Sequence, residues 1–122
     1  MLNERSKAAL VGVNEKLIRV VARASDICKV NFIVTEGLRT EVRQRQLMRA
    51  GASKTMNSKH LVGRAIDVAP IIGNKLAWDW PPFYIIAASM KQAAEELGVK
   101  IVWGGDWKSF KDGPHYELAE GE

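Results

Sequence analysis

The stretch SKHLVGRAIDVAP, residues Ser58–Pro70, places one histidine, His60, seven residues ahead of one aspartate, Asp67. Asp67 alternates with apolar neighbours, which is the period-2 pattern of a short β-strand. Gly63 predicts a turn ahead of this strand. Pro70 is expected to stop the strand because proline cannot donate a ladder hydrogen bond. A turn followed by a strand would bring the histidine and the aspartate together.

The residues before this stretch predict two helices with a strand between them. Apolar residues at three- and four-residue steps predict one amphipathic helix over Ser6–Cys28. The β-branched and aromatic run Val30–Gly37 predicts a core strand. Thr40 suits the cap of a second helix, Glu41–Ala50, and a polar loop is expected over residues 51–60.

The residues after the stretch complete an α+β pattern. Residues 71–82 are expected to form a loop, and a helix is predicted from Pro81 to Leu97 with Gly98 as its stop signal. Short strands are predicted over residues 99–103 and 115–119, separated by a turn-rich loop. This order predicts an α+β domain in which helices pack on a small, largely antiparallel sheet.

The composition is that of one globular domain, expected to cover residues 1–122. The hydrophobic share of 47% is sufficient for a core, and the lone cysteine, Cys28, reads as a small core residue. The apolar patch Ala8–Val13 is too short for a signal peptide, and no segment is long enough to span a bilayer. A cytosolic origin without stable membrane insertion is therefore expected. The net charge of +4 favours anionic partners, but no basic stripe with interleaved aromatic residues predicts nucleic-acid binding.

The chain has two histidines, His60 and His115, and each lies at a predicted boundary between loop and strand. Together with Asp67 they form the kind of set that leaves zinc a fourth position for water. Asp112, three residues before His115, is a candidate general base. The spacing alone leaves another interpretation open, in which both histidines are exposed and the two aspartates form turns.

Two motifs resemble those of the zinc peptidases that cut bacterial peptidoglycan stem peptides. SKHLVGRAIDV fits S-x-H-x-x-G-x-A-x-D, and DGPHYE fits [DE]-x-x-H. The family includes D-Ala-D-Ala carboxypeptidases, vancomycin-resistance dipeptidases and phage L-alanyl-D-glutamate endopeptidases. The likeness also covers TEGLRTEVRQRQLMRAG, and VKIVWGGDWKSFKDGPHYEL is most similar to the phage branch. The resemblance implies the hedgehog or D-Ala-D-Ala peptidase-like fold.

The resemblance implies a role for several residues. His60, Asp67 and His115 would bind one zinc ion, and Asp112 would act as the general base and then as the acid. Many relatives carry glutamate at the position of Asp112, so the shorter side chain makes its reach to the water the point to check. Arg39 would stabilise the developing oxyanion, with a solvated residue at the helix start as the alternative.

Other polar and aromatic side chains are candidates for the cleft. Ser58 matches the family serine and would contact substrate or orient the loop, although a turn-forming serine fits as well. Gln44 would line the cleft or lie on an outer helix face. Trp107 would form a cleft wall, whereas Trp103 is expected in the core. Asp106 would turn its loop or brace a metal ligand, and Trp78 and Trp80 are left without an assignment.

The sequence thus predicts a zinc peptidase that hydrolyses stem peptides, most similar to phage endolysins cutting between L-Ala and D-Glu. It is expected to be a monomer that reaches the wall from the host cytoplasm after a separate holin permeabilises the membrane. One rival is a D-Ala-D-Ala carboxypeptidase or dipeptidase. Another, of a different class, is a non-catalytic zinc-containing module that binds the cell wall or nucleic acid.

Overall fold

The computed structural model describes residues 2–53 and 58–122, and part of the predicted loop over residues 51–60 lies outside these ranges. These described residues form four helices, five strands and two short 3₁₀ turns. In chain order they are α1 (Glu4–Ala9), α2 (Glu15–Ile27), β1 (Phe32–Glu36), α3 (Glu41–Arg49), a 3₁₀ turn (Lys59–Val62), β2 (Ala65–Ile72), β3 (Lys75–Leu76), α4 (Trp80–Leu97), β4 (Ile101–Trp103), a 3₁₀ turn (Gly104–Asp106) and β5 (His115–Leu118). In the described residues, no helix is both long and apolar enough to cross a membrane.

The N-terminal region contains two helices, so the prediction of one helix over Ser6–Cys28 is wrong. α1 ends at Ala9, and the Asn14 side chain accepts a hydrogen bond from the Lys16 N–H to cap a new helix. The apolar periodicity misses this break because residues before and after it, Leu10 and Val13 among them, all face the same core. The predicted helix after Thr40 is confirmed, since its hydroxyl caps α3.

The strand that carries Asp67 continues past Pro70, contrary to the prediction. Pro70 pairs with Phe32 of β1, and its carbonyl accepts from the Ala77 N–H on the opposite side. The Pro70 nitrogen also points away from β1, towards the side of Ala77. Its missing N–H therefore costs no hydrogen bond between β2 and β1. The predicted loop over residues 71–82 instead begins with a hairpin, because Gly73 and Asn74 both adopt positive φ in a two-residue turn between β2 and β3.

All strand pairs are antiparallel, in the order β1-β2-β5-β4, with β3 added to the end of β2. The predicted α+β class is confirmed. Successive residues of each strand point to opposite faces of the sheet. Ile66, Val68 and Tyr116 belong to the hydrophobic core with α2 and α4. Asp67 and His115, which pair directly across β2 and β5, therefore point to the opposite face.

Candidate active site

Three side chains converge on the sheet face opposite the core. The Asp67 Oδ1 atom lies 3.4 Å from His60 Nε2 and 3.5 Å from His115 Nδ1. These side chains offer one ligand atom each, and all three atoms lie within 4.8 Å of one another. His60 and His115 are buried, so solvent does not compete freely for the position between them. The structure therefore brings together the predicted metal ligands.

The hydrogen bonds of the two imidazoles leave the inward nitrogens available. His60 Nδ1 lies 2.9 Å from the Gly37 carbonyl oxygen, which can only accept, so Nδ1 carries the proton. His60 Nε2 and Asp67 Oδ1 are buried and have no hydrogen-bond partner. Two buried polar atoms without partners, facing each other, are costly unless a further group satisfies both. A metal ion fits this position, since two imidazoles and one carboxylate are ligands for a divalent metal.

Electrostatics around the three ligands favour positive charge. Burial would lower the pKa of His115, but the neighbouring carboxylates of Asp67 and Glu117 outweigh this effect and raise it to about 9. Burial would raise the pKa of Asp67, but His115 and His60 hold it well below its usual range. A positive charge between these side chains, whether on a proton or a divalent metal ion, is therefore favourable.

A short 3₁₀ turn presents His60 to the site. The Ser58 hydroxyl caps this turn by accepting from the His60 N–H at 3.2 Å. Gly63 ends it in the left-handed region at φ 71°, and a Cβ there would overlap the Gly12 carbonyl oxygen. Glycine is therefore required by both conformation and space. The Arg39 N–H donates to the His60 carbonyl at 2.8 Å, which ties the turn to the start of α3.

Glu117 is a functional candidate that the sequence reasoning missed. His115 Nε2 lies 2.8 Å from Glu117 Oε1, so the ring donates outward and keeps Nδ1 for the metal position. The other Glu117 oxygen lies 2.9 Å from Lys59 Nζ. Second partners of this kind fix the orientation and tautomer of a ligating histidine. The signal was available, because Glu117 lies two residues after His115 and therefore on the same face of the predicted strand.

Arg39 is held in a fixed orientation by two side chains. Its Nε and Nη2 atoms bind the two Glu36 carboxylate oxygens at 2.8 and 2.9 Å, and Nη1 donates to Gln44 Oε1 at 2.7 Å. The residue is only 9% exposed, and Nη2 also lies 3.6 Å from Asp67 Oδ2. The alternative of a solvated arginine is therefore wrong. Such a fork restricts the guanidinium to one position beside the metal ligands.

Glu36 reaches this site because of a β-bulge in β1. Val34 pairs with Val68, but Glu36 pairs with Asp67, so two steps on β1 match one on β2. The extra residue moves Glu36 from the core face to the face of Asp67. Gln44 is fully buried and lies behind Arg39, outside the residues that line the cleft, which excludes the alternative of an outer helix face. Its observed contacts are with Arg39 and the Ser53 hydroxyl.

Asp112 lines the same cavity as the three ligands and lies close to Gly104. Its backbone N–H donates to the Gly104 carbonyl at 3.0 Å, and its own carbonyl accepts from the His115 N–H at 3.2 Å. Burial raises the pKa of the Asp112 carboxyl, and the Asp67 charge raises it further, against the lowering effects of His115, His60 and Arg39. A carboxylate with a raised pKa is a better proton acceptor near neutral pH.

The ligands lie in an open cavity of about 630 Å³, which is large enough for several residues of a peptide. Ser58 and Trp107 line it, and the Trp107 ring centroid lies 5.1 Å from that of His115. Phe110 also lines the cavity, is mostly exposed, and adopts a positive φ of 52°. That conformation is strained for a bulky side chain, and such strain is concentrated at functional sites.

Other candidate residues lie away from the metal position. Asp106 pairs with Lys91 at 2.8 Å and is largely exposed, which argues against its bracing a ligand. Trp103 is in the core, as predicted, and donates its Nε1–H to the Gly113 carbonyl at 2.7 Å. Cys28 is half-buried and packs against the core, in line with its predicted role.

Comparisons with known proteins identify the family of this chain. The family model described as phage L-alanyl-D-glutamate peptidase matches residues 1–119. The crystal structure of the Serratia marcescens L-Ala D-Glu endopeptidase ChiX is similar over 95% of this chain and 87% of that one, with 43% identity and a TM-score of 0.91. The L-alanyl-D-glutamate peptidase of Escherichia phage T5 is 34% identical over 97% of this chain and 88% of its own length. The peptidoglycan L-alanyl-D-glutamate endopeptidase CwlK of Bacillus subtilis is 31% identical over 73% of this chain. The chain therefore belongs to the phage L-alanyl-D-glutamate peptidase family.

Proposed function

We propose that this protein is a zinc endopeptidase that hydrolyses the bond between L-Ala and D-Glu in peptidoglycan stem peptides. The observation that carries the proposal is the pair of buried atoms without partners, His60 Nε2 and Asp67 Oδ1, facing His115 Nδ1 in an open cleft. Family membership supports the substrate, because the similar proteins from Serratia, phage T5 and Bacillus are all named for this bond.

His60, Asp67 and His115 would hold the zinc ion, each through one atom. A bound zinc ion supplies Lewis acidity and lowers the pKa of a bound water from about 15.7 to about 7. Three protein ligands are the number that catalytic zinc sites use. The outward hydrogen bonds of His60 to Gly37 and of His115 to Glu117 would keep both imidazoles in the ligating tautomer.

Asp112 would move the proton during hydrolysis. Its carboxylate lines the cavity beside the ligands and would accept the proton of the attacking water. The same group would then return that proton to the D-Glu nitrogen as the amide bond breaks. Its raised pKa supports both roles, because a group that shuttles a proton must hold and release it at similar pH.

Arg39 would stabilise the oxyanion that develops on the scissile carbonyl. Its contacts with Glu36 and Gln44 fix the guanidinium before substrate arrives, so little reorganisation is needed during the reaction. Ser58 and Trp107 would contact the peptide from the cavity wall, and Gln44 would act on substrate only through Arg39. Trp107 also packs on His115 and would limit its movement.

In the cell, the protein would act on the wall as a phage or prophage endolysin. We propose a monomer that leaves the host cytoplasm when a separate holin permeabilises the membrane. Phage enzymes among the relatives support this setting. The rival D-Ala-D-Ala carboxypeptidase would require a clamp for a terminal carboxylate, whereas the named relatives point to the internal bond.

The test is digestion of purified Gram-negative peptidoglycan, with and without a chelator, followed by mass spectrometry of the fragments. Chelator-sensitive release of peptides that begin at D-Glu is expected. Release of free D-Ala would instead establish the carboxypeptidase, and zinc-loaded protein that releases nothing would favour a binding module. Asp112→Asn should keep zinc and lose turnover, whereas His115→Ala should lose both. Retained turnover in Asp112→Asn would overturn the role of that residue.

A further inference from the structure

A second surface of unusual composition lies next to residues 111–114, which we call the catalytic loop because they carry the proposed general base Asp112. A cavity of about 180 Å³ is lined by three aromatic side chains, Trp78, Trp80 and Phe83, and by the loop residues 111–114. Asp112 belongs to the walls of both cavities, so the two adjoin at this residue. A Cβ at Gly113 would lie 3.3 Å from both Trp80 and Phe83, which shows how closely these rings pack on the loop.

The aromatic rings on this surface are exposed. Trp78 is 60% exposed, Tyr84 57% and Trp80 39%. These three residues, together with Phe83, which is buried at 3% exposure, form what we call the aromatic surface. The Trp80 ring links its two ends, with centroid distances of 6.4 Å to Phe83 and 5.7 Å to Tyr84. Contiguous exposed apolar surface is uncommon on a soluble protein and marks a site of interaction.

A rigid base supports the aromatic surface. The buried Trp103 packs edge-on against Tyr84 at 5.6 Å and against Trp80 at 6.4 Å. The same indole donates to the Gly113 carbonyl in the catalytic loop. Because Trp103 is fixed on both sides, the exposed rings need little ordering when a ligand binds.

The charge of this surface indicates what kind of ligand it accepts. From Trp80 to Met90 the sequence WPPFYIIAASM contains no charged residue, and the charged residues that line the cavity, Lys111 and Asp112, both belong to the adjacent loop. The stem peptide carries a free carboxylate at D-Glu, because a dicarboxylic residue uses only one carboxyl in the onward amide bond. The glycan strand exposes faces of C–H groups on uncharged sugar rings. Such faces match the negative π-face of an aromatic ring better than a carboxylate does.

We propose that the aromatic surface binds the glycan strand of peptidoglycan while the cleft holds the stem peptide. This inference rests on the proposed function for the identity of the polymer. The L-Ala residue joins the peptide to the sugar, and one extended residue spans about 3.5 Å, so the sugar lies within roughly 10 Å of the scissile bond. The aromatic surface adjoins the cleft at Asp112, on the scale of that distance, because one residue contributes to both walls.

The experiment compares two substrates for one variant. Trp78→Ala combined with Tyr84→Ala should lower the rate on intact sacculi roughly tenfold, because two ring contacts with the glycan are lost. The kcat/KM on a soluble, sugar-free peptide that begins L-Ala-D-Glu should stay unchanged. Leu97→Ala is the matched control, since Leu97 is an exposed apolar residue on the same helix, about 20 Å from Tyr84. It should change neither rate.

A binding assay makes the result independent of catalysis. The wild-type protein should co-sediment with sacculi whose stem peptides an amidase has removed, and the double variant should not. Trp78→Phe, which keeps a ring, should restore most of the binding lost in Trp78→Ala. These single variants also serve if the double variant does not fold, because Trp78 is the most exposed ring of the surface.

Several outcomes would overturn the proposal. Equal losses on both substrates would assign the aromatic surface to the peptide or to folding, and no loss on either would leave it without this function. Binding of the wild-type protein to phospholipid vesicles but not to stripped glycan would indicate a membrane surface instead. Failure of the wild-type protein to cleave either substrate would contradict the proposed function alone, since glycan co-sedimentation is measured separately.

Discussion

Replacing Gly104 by alanine should impair catalysis without removing any group that takes part in it. Gly104 lies close to both Asp112 and His115. An added Cβ would overlap the Asp112 carbonyl oxygen and would lie 3.0 Å from Asp112 Cβ and 3.1 Å from His115 Cβ. The Asp112 N–H also donates to the Gly104 carbonyl, so the two segments cannot separate without loss of that bond.

The size of the effect follows from the displacement that the methyl group requires. The Asp112 backbone must retreat by about 1 Å to restore ordinary van der Waals contact. A displacement of about 1 Å at a reacting group can cost roughly 100-fold in rate. We therefore expect kcat/KM on a soluble L-Ala-D-Glu peptide to fall about 100-fold in Gly104→Ala. Overpacking should also lower the free energy of unfolding by about 1–3 kcal/mol.

Gly98→Ala is the control for that loss of stability. Gly98 ends α4 in the left-handed region at φ 68°, and an added Cβ there would contact nothing within 4 Å. Alanine should therefore cost about 1 kcal/mol through backbone strain alone, with kcat/KM unchanged. Both variants would be compared by steady-state kinetics and urea denaturation. A folded Gly104→Ala protein with wild-type kcat/KM would refute the reasoning that this close approach positions Asp112.

Three further predictions concern the groups around the ligands and the edge of the sheet. Glu117→Ala removes the acceptor of the His115 Nε2–H and should weaken zinc binding roughly 10- to 100-fold. The affinity is measured in a competition titration with a chromophoric chelator, and an unchanged affinity would contradict this role of Glu117. Arg39→Ala should lower kcat about 100-fold or more, while the zinc content, measured by atomic absorption, stays at one ion per chain. Loss of zinc would show that Arg39 acts on the metal ligands instead. Ser6→Ala leaves the buried Val34 N–H without the Ser6 hydroxyl that accepts its hydrogen bond at 2.9 Å. The free energy of unfolding, measured by urea denaturation, should fall by about 1–3 kcal/mol with kinetics unchanged. Wild-type stability would mean that this hydrogen bond contributes little.

The sequence singled out His60 and Asp67 because one short segment carries both, and the resemblance to the zinc peptidases gave their predicted role as metal ligands. His60 lies in a short turn, Asp67 lies in the strand that follows it, and the chain contains only two histidines. The helix from Pro81 to Leu97 was also predictable, since proline at its start and Gly98 at its end act within one turn. Pro70 was misleading for the opposite reason. Its effect depends on which side of the strand has a partner, and that is a property of the assembled sheet.

Local sequence patterns were enough for the α+β class, because strand and helix periodicities lie within short segments of chain. His60, Asp67, His115 and Asp112 were candidates from their residue types, and the resemblance to the zinc peptidases gave them their predicted roles. Only the tertiary structure decided that a bulge turns Glu36 towards Arg39, and that Gln44 lies behind the arginine. It also showed that the rings of Trp78 and Trp80 lie beside the catalytic loop. Those contacts join residues through strand register and helix packing, which are set by the whole core and not by any one segment.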